Sequence, residues 1–166
     1  MHNFKIVSTK HTGGRTIVHF MFNNTLLGSA DLELLGNGRM SLYSFWSISG
    51  YGLALLIETI KFCQYHECCL TKGSGFTSEK FERLWGKLSQ HPTVSKNSFG
   101  LGLKDFSKDT FKDSFGKIDG ETLYEQTNRS VKFFHSFYEG ENADVAHQRY
   151  SKDAHFFLGM ISSEQL

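Results

Sequence analysis

The stretch SISGYGLALLIETIKFCQYHECCLT, residues 47–71, decides the fold of this 166-residue chain. Its apolar residues recur at three- and four-residue intervals, which predicts an amphipathic helix that begins near Gly50 and ends near His66. The helical face consists of Leu53, Leu56, Ile57, Ile60 and Cys63. The compact run at 68–71 predicts a short buried strand. With a strand before the helix, this makes a β-α-β unit, whose right-handed crossover sets the two strands parallel.

Four short apolar segments precede this unit, and turn residues separate them. They span residues 3–8, 16–22, 25–34 and 40–46. The Gly and Asn residues between them tolerate the positive φ angles that tight hairpins require. This pattern predicts four strands in an antiparallel meander.

A second amphipathic helix follows the flexible Gly73-Ser74-Gly75. Ser78 is placed to cap its N-terminus, and Pro92 lies just beyond its end. Its apolar positions are Phe81, Leu84, Trp85 and Leu88. Further along, the pattern predicts a charged helix at 104–115, a hairpin over 121–137 and a last helix at 142–150.

We therefore predict one α/β (α+β) domain over residues 1–166, with a mixed, mostly antiparallel central sheet flanked by helices. The core is expected in about residues 1–95, and residues from about 96 to 166 complete the domain. No linker divides the chain, and the sequence does not reveal its oligomeric state.

The charges of the chain nearly cancel, with 18 Lys and Arg against 17 Asp and Glu, so no long-range field recruits a polyanion. This argues against a nucleic-acid partner, although residues 129–138 interleave basic and aromatic side chains that could stack on bases. The N-terminus lacks the apolar core of a signal peptide, and the apolar run 53–57 is too short to span a bilayer. We expect a cytoplasmic protein without a membrane partner.

The three cysteines form one cluster, C-x-x-H-x-C-C, with His66 between Cys63 and the Cys68-Cys69 pair. The run crosses from a helix end into a strand, where alternate side chains point apart, so a shared metal ion is not expected. Buried thiols that behave as small apolar side chains are the better prediction. No other metal-binding or nucleophile motif is present, so we expect no metal site.

The loop Ser47-Ile48-Ser49-Gly50-Tyr51-Gly52 and the second helix carry a resemblance to a known family. Over roughly residues 16–90 the order of elements resembles the GNAT superfamily of acyl-CoA-dependent acyltransferases. In that superfamily the loop after the fourth strand reads Arg or Gln, two residues, Gly, any residue, then Gly or Ala. Here the loop departs from the pattern in having Ser47 at the Arg or Gln position. The second helix departs from the superfamily's own pattern for that helix at Phe81, Trp85 and Ser89-Gln90.

The resemblance implies that loop amides hold the pyrophosphate of acetyl-CoA or another acyl-CoA. Glycines allow close approach of the backbone, and a helix N-terminus attracts anions. The cofactor-binding residues would then be Ser47, Ser49, Gly50, Tyr51, Gly52 and Leu53. A tight strand-to-helix turn without a ligand is the structural alternative.

The implied activity is N-acyl transfer to an amine of a protein or small molecule. Glu33 and Tyr43 are the candidate general bases, and a β-bulge would polarise the thioester carbonyl. The alternative for Glu33 is a solvated strand residue, and for Tyr43 a core or rim position. Because Trp85 stands where the family often has a Tyr that protonates the thiolate, a non-catalytic protein that binds a protein partner remains the second hypothesis.

Overall fold

The computed structural model describes residues 4–10, 15–22, 25–75 and 78–109. Seven strands and two helices lie in this part of the chain: β1 Phe4–Lys10, β2 Arg15–Phe22, β3 Thr25–Gly36, β4 Arg39–Ser47, α1 Gly52–Tyr65, β5 Cys69–Lys72, α2 Glu79–Ser89, β6 Val94–Asn97 and β7 Gly100–Leu103. The hairpin expected over 121–137, the helix at 142–150 and the aromatic segment 129–138 lie outside the described residues.

The strands form one sheet in the order β1-β2-β3-β4-β5-β7-β6. Neighbours from β1 to β4 are antiparallel, as the meander predicted. The pairing of β4 with β5 is parallel, which confirms the β-α-β unit around α1. Since β7 is antiparallel to both β5 and β6, the sheet is mixed and mostly antiparallel, and the fold is α+β.

The turn between β3 and β4 depends on three residues in the left-handed region. Gly36, Asn37 and Gly38 have φ angles of 80°, 54° and 74°. Such angles cost little for Gly and are tolerated by Asn. The sequence Gly-Asn-Gly therefore fixes the register in which β3 and β4 pair.

The core lies between α1 and the middle of the sheet. Leu55, Leu56 and Ile60 of α1 are fully buried, together with Leu42 of β4 and Leu70 of β5. Burying one such side chain contributes about 1.5–3 kcal/mol relative to exposing it. This packing fixes both ends of α1 against the sheet. Within the described residues, no helix combines the length and apolar character that a bilayer crossing needs.

The β6–β7 hairpin was not predicted, and the helix expected at 104–115 begins later than its charge pattern suggested. Lys104 and Asp105 form a turn, and helical backbone starts only at Lys108. The segment Gly100–Leu103 has two glycines, which strands disfavour. It is held in place by tertiary contacts, including a 2.9 Å hydrogen bond from the Leu103 N–H to the Gln64 side-chain oxygen of α1.

Candidate functional site

The loop between β4 and α1 is anchored by two residues whose side chains point into the core. Ile48 is buried and donates its N–H to the carbonyl of Leu27 at 2.8 Å. Tyr51 is 2% exposed and donates its N–H to the carbonyl of Ile48 at 3.3 Å. Between them, Ser49 and Gly50 are exposed, and Gly50 has a φ of 88°. The left-handed Gly50 turns the chain from the strand into the helix.

The N-terminus of α1 is not capped by a side chain. Its N-cap residue, Tyr51, makes no side-chain capping hydrogen bond, and no acidic residue occupies the first turn. The hydrogen bond from Leu55 N–H to the Tyr51 carbonyl, 2.9 Å, opens the helical ladder. The amides of Gly52, Leu53 and Ala54 precede that bond, so this end of the helix carries a partial positive charge.

A pocket of about 630 Å³ opens beside this helix end. One wall is formed by the loop and the first turn of α1, and the other by one face of α2. The lining residues are Ser47, Ile48, Ser49, Gly50, Gly52 and Leu53 on the first wall, and Lys80, Arg83, Leu84 and Lys87 on the second. The two walls meet where Leu84 packs on Gly52, since a Cβ at Gly52 would lie 3.0 Å from the Leu84 Cδ2.

The α2 wall supplies three cations. Lys80, Arg83 and Lys87 are spaced i, i+3 and i+7, so they share one face of the helix. Arg83 Nη2 lies 3.7 Å from Glu79 Oε2, but both side chains are largely exposed and such a pair is weak. Among the described residues Lys80 and Lys87 form no salt bridge. The pocket therefore combines unpaired positive charge with the positive end of a helix.

The predicted cofactor-binding residues gather at this pocket with one exception. Ser47, Ser49, Gly50, Gly52 and Leu53 all line it. The Tyr51 side chain instead lies in the core, and burial raises the pKa of its hydroxyl. Sequence reasoning considered only the apolar face of α2 and missed the three cations, although their spacing in the sequence was a usable signal.

The apolar residues of α2 do not close the pocket. Phe81 is buried, and its ring centroid lies 6.0 Å from that of Trp85 and 6.5 Å from that of Phe45 on β4. Neither Phe81 nor Trp85 lines the pocket, and neither does Trp46. Phe81 and Trp85 belong to the other face of α2, and Phe81 packs toward Phe45 of the sheet.

Beyond Leu42, β4 continues without β5 beside it. The parallel pairing covers Arg39 to Leu42 on β4, and the Gly73 N–H donates to the Leu42 carbonyl at 3.0 Å just past it. The remaining residues of β4, 43–47, lead to the pocket with no register to β5. Since β5 ends at Lys72, β4 therefore runs on to the pocket after this pairing has ended.

Glu33 and Tyr43 do not line the pocket but lie near each other on the sheet. The pairing of β3 with β4 shifts between Asp31 and Leu32, which leaves Tyr43 without a β3 partner. Tyr43 is therefore the extra residue of a β-bulge. The guanidinium carbon of Arg15 lies 3.9 Å from the centroid of the Tyr43 ring, and Glu33 is the cross-strand partner of Arg15. The structure thus brings both candidate bases to Arg15.

The sequence separation of Tyr43 from Ser47 corresponds to about 13 Å along an extended strand. This distance separates the bulge from the edge of the pocket.

The three cysteines are free thiols, with Cys63 and Cys68 buried and Cys69 partly buried. Burial raises the pKa of Cys63 well above the usual thiol value, and burial also raises that of Cys68. Among the described residues no group of three or more His, Cys, Asp or Glu side chains could hold a metal ion. The cluster is part of the core rather than a reactive site.

Comparisons with protein-family models, curated proteins and solved structures give no match for the chain. The geometry and charge of the pocket are therefore the ground on which a function can be argued. Backbone amides at a helix N-terminus together with Lys and Arg side chains are suited to phosphate groups.

Proposed function

We propose that the pocket binds the phosphate groups of acetyl-CoA or another acyl-CoA, and that the protein is an acyl-CoA-dependent N-acyltransferase. One observation carries this proposal. The uncapped N-terminus of α1 shares a pocket with Lys80, Arg83 and Lys87, three cations on one face of α2. Anions gain both from helix amides and from charge-assisted hydrogen bonds in such a place.

The order of elements supports a GNAT-like core. Four antiparallel strands lead to a Gly-containing loop, a helix, a parallel strand and a second helix. The loop that resembles the superfamily's pyrophosphate loop forms the first wall of the pocket. The segment of β4 that leaves β5 gives the pantetheine arm a route from this loop to the bulge at Tyr43.

The proposed reaction takes place at the bulge. The neutral amine attacks the thioester carbonyl carbon, and the Glu33 carboxylate, or Tyr43 as its phenolate, accepts the proton that the attacking nitrogen loses. Backbone N–H groups at the bulge stabilise the negative charge that develops on the carbonyl oxygen. The carbon–sulfur bond then breaks, and the CoA thiolate leaves and takes up a proton. The products are an N-acylated amine and free CoA.

A protein that binds CoA or a partner without acyl transfer is the second candidate. It is favoured by Trp85, which stands where the superfamily often has a Tyr and packs on Phe81. An indole N–H does not protonate a thiolate. In this version the pocket would bind its ligand while the bulge does no chemistry.

The test is release of CoA thiol from acetyl-CoA in the presence of amines of different classes: a polyamine, a lysine-containing peptide, an arylamine and an amino sugar. The wild-type protein is compared with Glu33→Gln, Tyr43→Phe and a control, Asp105→Asn, whose carboxylate is exposed and lies outside the pocket. We expect amine-dependent release that falls about 100-fold or more when the base is removed, because a general base contributes about 10²–10⁴-fold.

The outcomes separate the two candidates. Amine-dependent release that is lost in one base variant and kept in Asp105→Asn supports the transferase. Binding of acetyl-CoA without release under any amine supports the non-catalytic protein. An absence of both acetyl-CoA binding and CoA release would show that the pocket serves another ligand.

A further inference from the structure

Arg15, on β2, contacts residues of two further strands, Asp31 on β3 and Tyr43 on β4. Its Nε donates a 3.2 Å hydrogen bond to Asp31 Oδ1, and its Nη2 pairs with Asp31 Oδ2. Asp31 is mostly buried, with a side chain 12% exposed, whereas that of Arg15 is 36% exposed. The hydrogen bond to Asp31 raises the pKa of Arg15, so the group is a permanent cation. A two-point pair of this kind fixes the plane of the guanidinium group.

The fixed guanidinium lies on the ring of Tyr43. Its carbon is 3.9 Å from the ring centroid, a stacked cation–π contact. Tyr43 is 55% exposed, so little other packing restrains its ring. It is also the unpaired residue of the β4 bulge, where the strand pairing does not dictate the direction of its side chain. The stack on Arg15 is what holds the ring.

The same guanidinium is adjacent to Glu33. Arg15 and Glu33 are cross-strand partners in the β2–β3 register, and their side chains lie on one face of the sheet. Among the described residues Glu33 forms no salt bridge, and Arg15 directs two of its five N–H donors at Asp31. Glu33 therefore stays an available carboxylate beside a cation that Asp31 already neutralises.

A structural ion pair with the mostly buried Asp31 would explain only part of this arrangement. A guanidinium stacked on an exposed ring adds little to stability, and fixing a long Arg side chain costs entropy. Stability alone gives no reason for the guanidinium to lie on an exposed Tyr at a bulge. We propose that Arg15 is a positioning residue that holds Tyr43 and Glu33 in the geometry for acyl transfer, an inference that rests on the proposed function.

The experiment compares Arg15→Ala and Arg15→Lys with the wild type, with Lys96→Ala as the control for loss of an exposed cation on the sheet. In Arg15→Ala we expect kcat to fall about 10- to 100-fold, because small misplacements of reacting groups cost up to about 10²-fold. The KM for acetyl-CoA stays near the wild-type value, since the pocket does not include Arg15.

Two readouts distinguish positioning from general stabilisation. Millimolar guanidinium ion restores part of the turnover of Arg15→Ala, whereas urea, a neutral molecule of similar shape, does not. In ring ¹H–¹³C spectra of the substrate-free protein, the Tyr43 signal, assigned with Tyr43→Phe, moves in Arg15→Ala and Arg15→Lys. The signals of Tyr51 and Tyr65 stay in place.

Each result decides a separate point. Transfer by Arg15→Ala at the wild-type rate, or a Tyr43 signal unmoved in both variants, would overturn the role of Arg15 and leave the transferase proposal intact. An absence of transfer in the wild-type protein would overturn the proposed function and this catalytic role with it. The Tyr43 signal would then still report whether Arg15 restrains the ring.

Discussion

The two ends of α1 differ in whether the chain itself supplies hydrogen-bond partners for the terminal backbone groups. At its C-terminus the chain supplies its own partners. The backbone N–H of His66 donates to the carbonyls of Phe62 and Cys63 at 3.3 and 3.0 Å. The backbone N–H of Cys68 donates to the carbonyl of Cys63 at 2.8 Å. At its N-terminus no side chain caps the helix and no acid lies in the first turn. Instead, three cations line the same pocket.

The difference separates a closed end of the helix from the end at which we propose a ligand site. The C-terminal end is closed by hydrogen bonds and leads into buried cysteines and β5. At the N-terminal end no side chain caps the helix, and the cations of α2 line the adjacent pocket. Positive charge from both sources favours an anion there.

The largest expected effect concerns the N-terminal end. Reversing two charges in Lys80→Glu/Lys87→Glu should weaken acetyl-CoA binding by about 100-fold or more, since a hydrogen bond to a charged group contributes about 1.5–3 kcal/mol. The matched control is Lys96→Glu/Lys104→Glu, which reverses two exposed lysines outside the pocket. Calorimetric titration of both proteins checks this. Equal losses in the two would mean that overall charge, not the pocket, governs binding.

A pH effect of intermediate size is expected at the C-terminal end, from Cys63. Burial raises its pKa, so the folded state keeps the thiol neutral. In the unfolded chain the thiol ionises above about pH 8.5, and the unfolded state then binds fewer protons. The contribution of the neutral thiol to stability is therefore complete below that pH. Above it, the free energy of unfolding should fall by up to about 1.4 kcal/mol per pH unit.

Urea denaturation between about pH 7 and 9.5 measures this slope. The variant Cys63→Ala is less stable throughout because it leaves a cavity, but its stability should vary less with pH. Parallel curves for the two proteins would contradict the assignment to Cys63. Acetyl-CoA affinity of Cys63→Ala is expected to stay unchanged, because the thiol lies at the opposite end of α1 from the pocket.

The smallest effect concerns the left-handed residue at each end. Glu67, just after α1, has a φ of 62° and is not a glycine. Replacing it with Gly removes about 1–2 kcal/mol of strain and adds about 0.5–1 kcal/mol of chain entropy cost, so Glu67→Gly should gain about 0.5–1 kcal/mol. At the other end, Gly50→Ala should lose about 1 kcal/mol, although a Cβ there meets no atom within 4 Å.

Thermal and urea unfolding of the two variants measure these changes. A loss of stability in Gly50→Ala together with a gain in Glu67→Gly would confirm that the backbone is strained at Glu67 and that the turn at Gly50 requires glycine. A gain from both substitutions would mean that the backbone at Gly50 is not constrained as the structure shows.

The sequence predicted those parts of the molecule that are contiguous. The loop at Ser47–Gly52 could be found because strand, glycines and helix follow one another, and the apolar stripe of α2 because its period is regular. The cationic face of the same helix was overlooked, since exposed Lys and Arg on a helix usually serve solubility. The hairpin formed by β6 and β7 was not predicted because its glycines have low strand propensity. Tertiary contacts, which the sequence pattern does not show, hold it in strand conformation.

The cluster around Tyr43 shows a different limit. Glu33 and Tyr43 could be nominated from their strands, but Arg15 could not, because it reaches them only through the register of β2, β3 and β4. The bulge that leaves Tyr43 unpaired depends on the same register. Tyr51 was predicted as part of the binding loop, yet its side chain lies in the core, where it anchors this loop.

The most direct test of the account is calorimetric titration of the wild-type protein with acetyl-CoA, repeated in the presence of inorganic pyrophosphate. We predict one site per chain with micromolar affinity, which pyrophosphate weakens because both ligands need the amides of α1 and the cations of α2. Absence of heat at millimolar acetyl-CoA, or binding that pyrophosphate leaves unchanged, would contradict a phosphate site at the open end of α1.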